Sequence, residues 1–285
     1  YMEKGLLLAG SAAGFAAMFS APLAGIMFAI EEMGRTLEER ISTLVLTAII
    51  FSGVTAYSIL HHTIYFSDNT LSLIWGKSWL AIPLCGVLGG LSGAIFSKII
   101  ISGQYYLKSL KLPIVLVAFM CGGIIAVLGY FSQGESFGTG YQVAKNIMLS
   151  GTTNDPLFPL YKMLATIATF FSGIPSGIFV PSIATGAGLG ANLANWVPIA
   201  PASVMILLTI TAYFSGMLQS PLTSFAVVLE MTHSHELSIP IMAAAFIAAG
   251  TSKLINHEPL YKALCSAYQV QRNNDATQNE IKQKK

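Results

Sequence analysis

The sequence predicts an all-α integral membrane protein, and three observations carry that reading. Hydrophobic residues make up 54% of the 285 positions and charged residues only 10%, with a mean hydropathy of +0.65. Apolar runs recur at helix length, and a spanning helix satisfies all its backbone groups within itself. Glycine is abundant at 26 residues, as expected where membrane helices pack closely or break. The small net charge of +2 argues against nucleic acid as a partner. Cys85, Cys121 and Cys265 have no short CxxC spacing and lie in apolar or helical contexts, so packing fits them better than a disulfide or a metal.

Taken in order, Gly5 to Phe19 reads as a helix with a face of Gly and Ala suited to close helix contact. Pro22 restarts the chain, and Leu23 to Met33 forms a second, short helix. Arg35, Glu38, Glu39 and Arg40 then make a charged loop. Ile41 to Leu60 reaches the roughly 20 residues that a span needs. A polar loop follows from His61 to Lys77. Ser78 to Gln104 is long for one span and implies steep tilt. Lys98, Lys108 and Lys111 gather toward its far end, as on a cytoplasmic side. Pro113 to Phe131 crosses back. Gly134 to Pro159 is the longest polar stretch, interrupted by a short helix over Tyr141 to Leu149. Leu160 to Phe171, Ser182 to Trp196, Ala202 to Met217, Leu222 to Met231 and Ile239 to Leu254 are further helices. Tyr261 to Gln269 is a last amphipathic one, before a polar tail to Lys285.

The stretch from Phe171 to Pro181, FSGIPSGIFVP, sets Gly and Pro between two apolar helices. It reads as a broken membrane helix. Pro181 fits the first position of the second half, where its missing N–H is not needed, and Gly177 lets backbone come close. The leading N–H groups of that half lack intrahelical partners and carry the positive end of the helix dipole. An anion can dock there without meeting a full positive charge. Non-helical backbone at membrane depth survives only inside protein or along a watery cavity, and many transporters hold their ions at such breaks.

Two segments resemble each other. Pro22 to Glu31 lies over Pro221 to Glu230 at an offset of 199 residues. Each is a short apolar helix that starts at proline and ends in a carboxylate. Internal repeats are a hallmark of transporters. A repeat of this size puts the counterpart of Phe171 to Pro181 ahead of Tyr1, so the chain is expected to be the latter portion of a longer polypeptide.

Four strings now point to a known family: GSAAGFAAMFSAPLAGIMFAIEEM (Gly10 to Met33), SGIPSGIFVP (Ser172 to Pro181), SPLTSFAVVLEMT (Ser220 to Thr232) and EPLYKAL (Glu258 to Leu264). In this order they resemble the signatures of the CLC chloride channels and chloride/proton antiporters. The resemblance implies a CLC-type inverted-repeat fold with broken and tilted helices, and a homodimer with one anion pathway per subunit. It covers residues 1–272 as a transmembrane domain lacking its first helices, with 273–285 a polar cytoplasmic tail.

Carried over by position, the resemblance makes Gly177 and the amides of Ile178 and Phe179 an anion site, joined by the Tyr261 hydroxyl. A phenol O–H is a neutral donor that holds an anion without trapping it; the alternative for Tyr261 is an interfacial anchor beside Lys262. Glu32 matches the inner proton glutamate of the antiporters, with Glu31 its neighbour on the proton pathway. A carboxyl at the end of an apolar helix suits a proton relay; the alternative is that both face Arg35 in the loop or cap local structure. Passive channels of the family commonly lack a glutamate at the Glu32 position, which favours chloride/proton antiport over a passive anion channel.

Two family features are missing. The serine-bearing loop and the loop carrying the external gating glutamate are expected ahead of Tyr1, and regulation by paired nucleotide-binding modules after Arg272 is not expected. The expected partners are chloride, protons, lipid, a second copy and the preceding portion of the same polypeptide. No cofactor, metal or enzymatic activity is expected. The excess of Lys and Arg puts Arg35, Arg40, Lys108, Lys111, Lys253, Lys262 and Arg272 on the cytoplasmic face of a plasma (inner) membrane, with His61 to Lys77 and Gly134 to Pro159 outside. One rival is a membrane metalloenzyme using His233, His235 and Glu236, with His61 and His62, but the spacing is not the i, i+4 pair of zincins. Another is a structural scaffold, which the cost of a bare helix end in mid-membrane opposes.

Overall fold

A computed structural model describes residues 2–34, 43–60, 76–109, 113–232 and 235–266. Arg35, Arg40, His61, His62, Lys111, His233, Arg272 and the tail 273–285 lie outside the described residues. Helices α1 (Met2–Phe19) and α2 (Pro22–Phe28) come first, and α2 continues as a π-turn over Ala29–Met33. Then follow α3 (Thr43–Leu60), α4 (Ala81–Ser109), α5 (Ile114–Phe131), α6 (Tyr141–Ser150), α7 (Phe158–Phe171), α8 (Phe179–Trp196), α9 (Ala202–Leu218), α10 (Pro221–Thr232) and α11 (Ser238–Ile255). A last helix covers residues 260–266. Three helical segments, Lys77–Leu107, Ile114–Phe131 and Ser238–Ser266, are long and apolar enough to cross a membrane. The chain is an integral membrane protein.

The core is built on α9, which is buried on every side from Val204 to Leu218. Helix α4 lies against it through glycine. A Cβ on Gly89 would come within 2.7 Å of Ala212 Cβ, and one on Gly216 would run into the Gly90 carbonyl. On its other flank α9 meets α8 in the same manner, since a Cβ on Gly190 would sit 2.6 Å from Ile206 Cα. Small residues thus let backbones touch where lipid gives no hydrophobic drive to associate. The 29 residues of α4 extend about 44 Å at 1.5 Å each. That exceeds the roughly 30 Å hydrocarbon core, so a tilted course is needed.

Neighbour relations fix the directions. Gly86 faces Ala244, Gly90 faces Ala248, and Asn256 Nδ2 donates to the Ala94 carbonyl at 2.8 Å, so α4 and α11 run parallel. Their C-terminal ends, with Lys253, emerge on one side. Helix α5 returns the chain, leaving the segment from Ser132 to Leu157 on the other side. Gly188 packs on Phe158 and Pro159, which makes α7 and α8 an antiparallel hairpin hinged at residues 172–178.

The repeat is visible in three dimensions. Each unit is a long helix, one residue in the left-handed region, then a proline-started short helix. The left-handed residues are Ser20 (φ 51°) and Gln219 (φ 58°), at the same offset as Pro22 and Pro221. The two short helices cross, and each ends at the start of the other. Glu230 accepts hydrogen bonds from the Leu23 amide at 3.1 Å and the Ala24 amide at 2.7 Å. Reciprocally, Glu31 accepts from the Thr223 amide at 2.8 Å and its hydroxyl at 3.0 Å. Each carboxylate opposes its own helix dipole and complements its partner's, so the two helices are held head to tail. We expect Glu230→Ala to strand two helix-start amides at roughly 2–3 kcal/mol, read as a lower melting temperature in detergent, whereas Glu236→Ala leaves it unchanged.

Candidate functional site

Helix α7 has 14 residues, about 21 Å long, so it ends short of a full crossing. The chain turns at Gly173, whose φ of +76° is open to glycine at little cost, and runs through Ile174-Pro175-Ser176 to the start of α8. That helix begins at Phe179 rather than Ser182, so Pro181 is its third residue rather than its first. The proline still costs nothing there, because the first-turn amides have no intrahelical acceptor. Ile178 takes the N-cap position, and no side chain caps the helix. Its leading amides, those of Ile178 and Phe179, therefore carry the concentrated positive end of an 18-residue helix.

Gly177 plays a different part from the one its sequence implies. A Cβ there would meet nothing within 4 Å, so no close backbone approach within this chain demands glycine. What it leaves is open space on the face of the loop ahead of α8.

Around that helix start the fold gathers aromatic rings from distant segments. The Phe179 ring lies 5.1 Å from Phe15, 6.0 Å from Phe28, 5.7 Å from Phe214 and 5.9 Å from Tyr261, centre to centre. Tyr261 thus reaches the start of α8 from the far end of the sequence, beside the residue whose amide it was expected to assist. The π-turn that carries Glu32 begins directly after Phe28, whose ring belongs to this cluster. Glu32 is only 1% exposed and Glu31 7%; both sit in the π-turn at the end of α2, a distortion frequent at functional sites. The Ser220 hydroxyl donates to Glu32 Oε2 at 2.6 Å. Ile178, Phe179, Tyr261, Glu31 and Glu32 are therefore brought into one region, with Glu31 engaged on the start of α10.

One residue had no motif to announce it. Lys162, 2% exposed, donates to the carbonyls of Ser136 at 2.9 Å and Gly138 at 2.7 Å. No ion pair with a carboxylate accompanies it among the described residues. It stands at one end of a cavity of about 240 Å³ that runs along Ala165, Thr166 and Thr169 to Ser176, Gly177 and Pro181. Its only sequence signal is a lone lysine inside the apolar run from Leu160 to Phe171. Among the described residues, no three His, Cys, Asp or Glu side chains gather as a metal site would require.

The chain is 29% identical over 279 residues to the H(+)/Cl(-) exchange transporter ClcA of Yersinia pestis bv. Antiqua (strain Angola), an alignment covering 91% of this chain and 57% of that protein. The same values hold for the ClcA of Yersinia pseudotuberculosis serotype O:3 (strain YPIII). The chain spans little more than half the length of these curated relatives. Its fold matches a slow cyanobacterial Cl-/H+ antiporter with a TM-score of 0.74 at 24% identity, covering 94% of this chain and 66% of that one. It also matches a CLC-type fluoride/proton antiporter with a TM-score of 0.76 at 20% identity, covering 90% and 65%. Residues 2–253 match the family model for the voltage gated chloride channel, and with the CLC fold in place the chain belongs to that family.

Proposed function

We propose that the protein of which this chain forms part is a chloride/proton antiporter. The observation that carries the reading is the uncapped start of α8, packed beside Tyr261 and against Phe28, which leads into the turn that holds Glu32. A chloride ion held by the Ile178 and Phe179 amides and the Tyr261 hydroxyl, with Gly177 leaving room, meets donors but no full charge. It can therefore bind and leave. Protons pass by way of Glu32, with Glu31 beside it fixing the end of α2. The relatives whose names describe exchange of chloride for protons support this assignment. The working unit is a homodimer in the inner membrane, with the Lys253 side of the molecule cytoplasmic.

A crystal of the full-length protein soaked in bromide tests the anion site. We expect an anomalous peak within hydrogen-bonding distance of the Ile178 and Phe179 amides. Peaks elsewhere, with none at the start of α8, would remove the assignment.

A further inference from the structure

The repeat provides an internal control for the polar groups buried at its centre. At the fixed offset Glu31 corresponds to Glu230, and both cap the other unit's short helix. Glu32, however, corresponds to Met231, and its partner Ser220 corresponds to Ala21. Ala21 is fully buried and Met231 is 3% exposed. The contact that the repeat relates to Glu32 with Ser220 thus pairs Met231 of one unit with Ala21 of the other, a methionine and an alanine in place of a carboxyl and a hydroxyl. The crossing of the two helices is built without a polar pair on the Ala21 side, so holding them together does not require one.

Nor does α10 use the Ser220 hydroxyl. A serine directly ahead of a proline-started helix ordinarily accepts from the third amide of that helix, here that of Thr223. Glu31 has taken this amide at 2.8 Å. The Ser220 carbonyl still closes the first turn, accepting from the Ser224 amide at 3.1 Å, while its hydroxyl turns to Glu32 Oε2. An amide can only donate. A hydroxyl can donate to a carboxylate and, rotated, accept from a carboxylic acid, so it serves a carboxyl that gains and loses a proton.

We propose that Ser220 is a positioning residue for proton transfer at Glu32, keeping its carboxyl oriented in both protonation states. This rests on the exchange reading. Among the described residues, Glu31 on the same turn and Glu230 on α10 lie beside the pair, and the last helix brings Tyr261 to the neighbouring start of α8. Glu31 and Glu230 are engaged on helix starts, so neither stands in for the hydroxyl.

The test is simultaneous measurement of proton and chloride flux from full-length protein in liposomes. Ser220→Ala copies the residue of the other unit and should fold. We expect it to lower the number of protons moved per chloride about fivefold, the order of one lost hydrogen bond. Ser220→Thr, which keeps the hydroxyl, recovers the ratio. Ser224→Ala deletes a hydroxyl that, among the described residues, bonds to the Ser220 carbonyl at the start of its own helix, and leaves the ratio at its parental value. A coupled parent with an unchanged ratio in Ser220→Ala overturns this role alone; a parent that moves no protons overturns the exchange reading and this role together. An infrared C=O band for Glu32, assigned by its loss in Glu32→Gln, should shift in Ser220→Ala. A band that stays in place counts against the contact whatever the fluxes do.

Discussion

Glu32→Gln should go on moving chloride while coupled proton movement falls to the leak of protein-free liposomes. The side chain is 1% exposed, and a full charge at such depth is costly, so a carboxyl there is suited to pass between neutral and charged forms. Glutamine preserves the size. Its carbonyl still accepts from the Ser220 hydroxyl, which reaches the native carboxyl at 2.6 Å, so the end of α2 keeps its packing. What it loses is the ability to release a proton. Both fluxes must be read on the same preparation, with chloride driving protons against their gradient. Proton pumping by Glu32→Gln at the parental rate would end the assignment. A parent that conducts chloride and moves no protons would instead make the protein a passive anion channel.

Gly216→Val should abolish recovery of folded protein. A Cβ on Gly216 would strike the Gly90 carbonyl and lie 2.7 Å from Gly90 Cα, so the obstacle is backbone rather than the tip of a flexible side chain. Ordinary overpacking costs about 1–3 kcal/mol because side chains shift; here α4 and α9 would have to separate along their length. Helix α9 carries Phe214, which backs the Phe179 ring at 5.7 Å, so the loss would spread to the start of α8, the proposed anion site. Gly122→Val on α5 is the matched control, since a Cβ there meets nothing within 4 Å. Size-exclusion profiles in detergent should show a single sharp peak for Gly122→Val and aggregate for Gly216→Val. A sharp peak for both would mean that the crossing is looser than the structure places it.

The amino-acid sequence alone determined the class of fold, because lipid leaves the backbone few choices and an apolar run of given length then becomes a helix. It also marked the break at Gly173 to Pro181, since proline and glycine act on the backbone wherever they occur. The pairing of Pro22 with Pro221 and of Glu31 with Glu230 was equally legible, being a matter of spacing. Tertiary structure decided which groups face each other. That Glu31 caps α10 while its neighbour Glu32 meets Ser220 depends on two helices 199 residues apart crossing head to tail, and the π-turn that carries both carboxyls left no mark in composition. Phe15, Phe28 and Phe214 read as apolar filling, yet packing gathers them on Phe179. Lys162 carries no signal in the sequence for the same reason: its partners are backbone carbonyls of the 136–138 turn. Every residue carries a carbonyl, so no residue type in the sequence reveals which ones a buried ammonium will find.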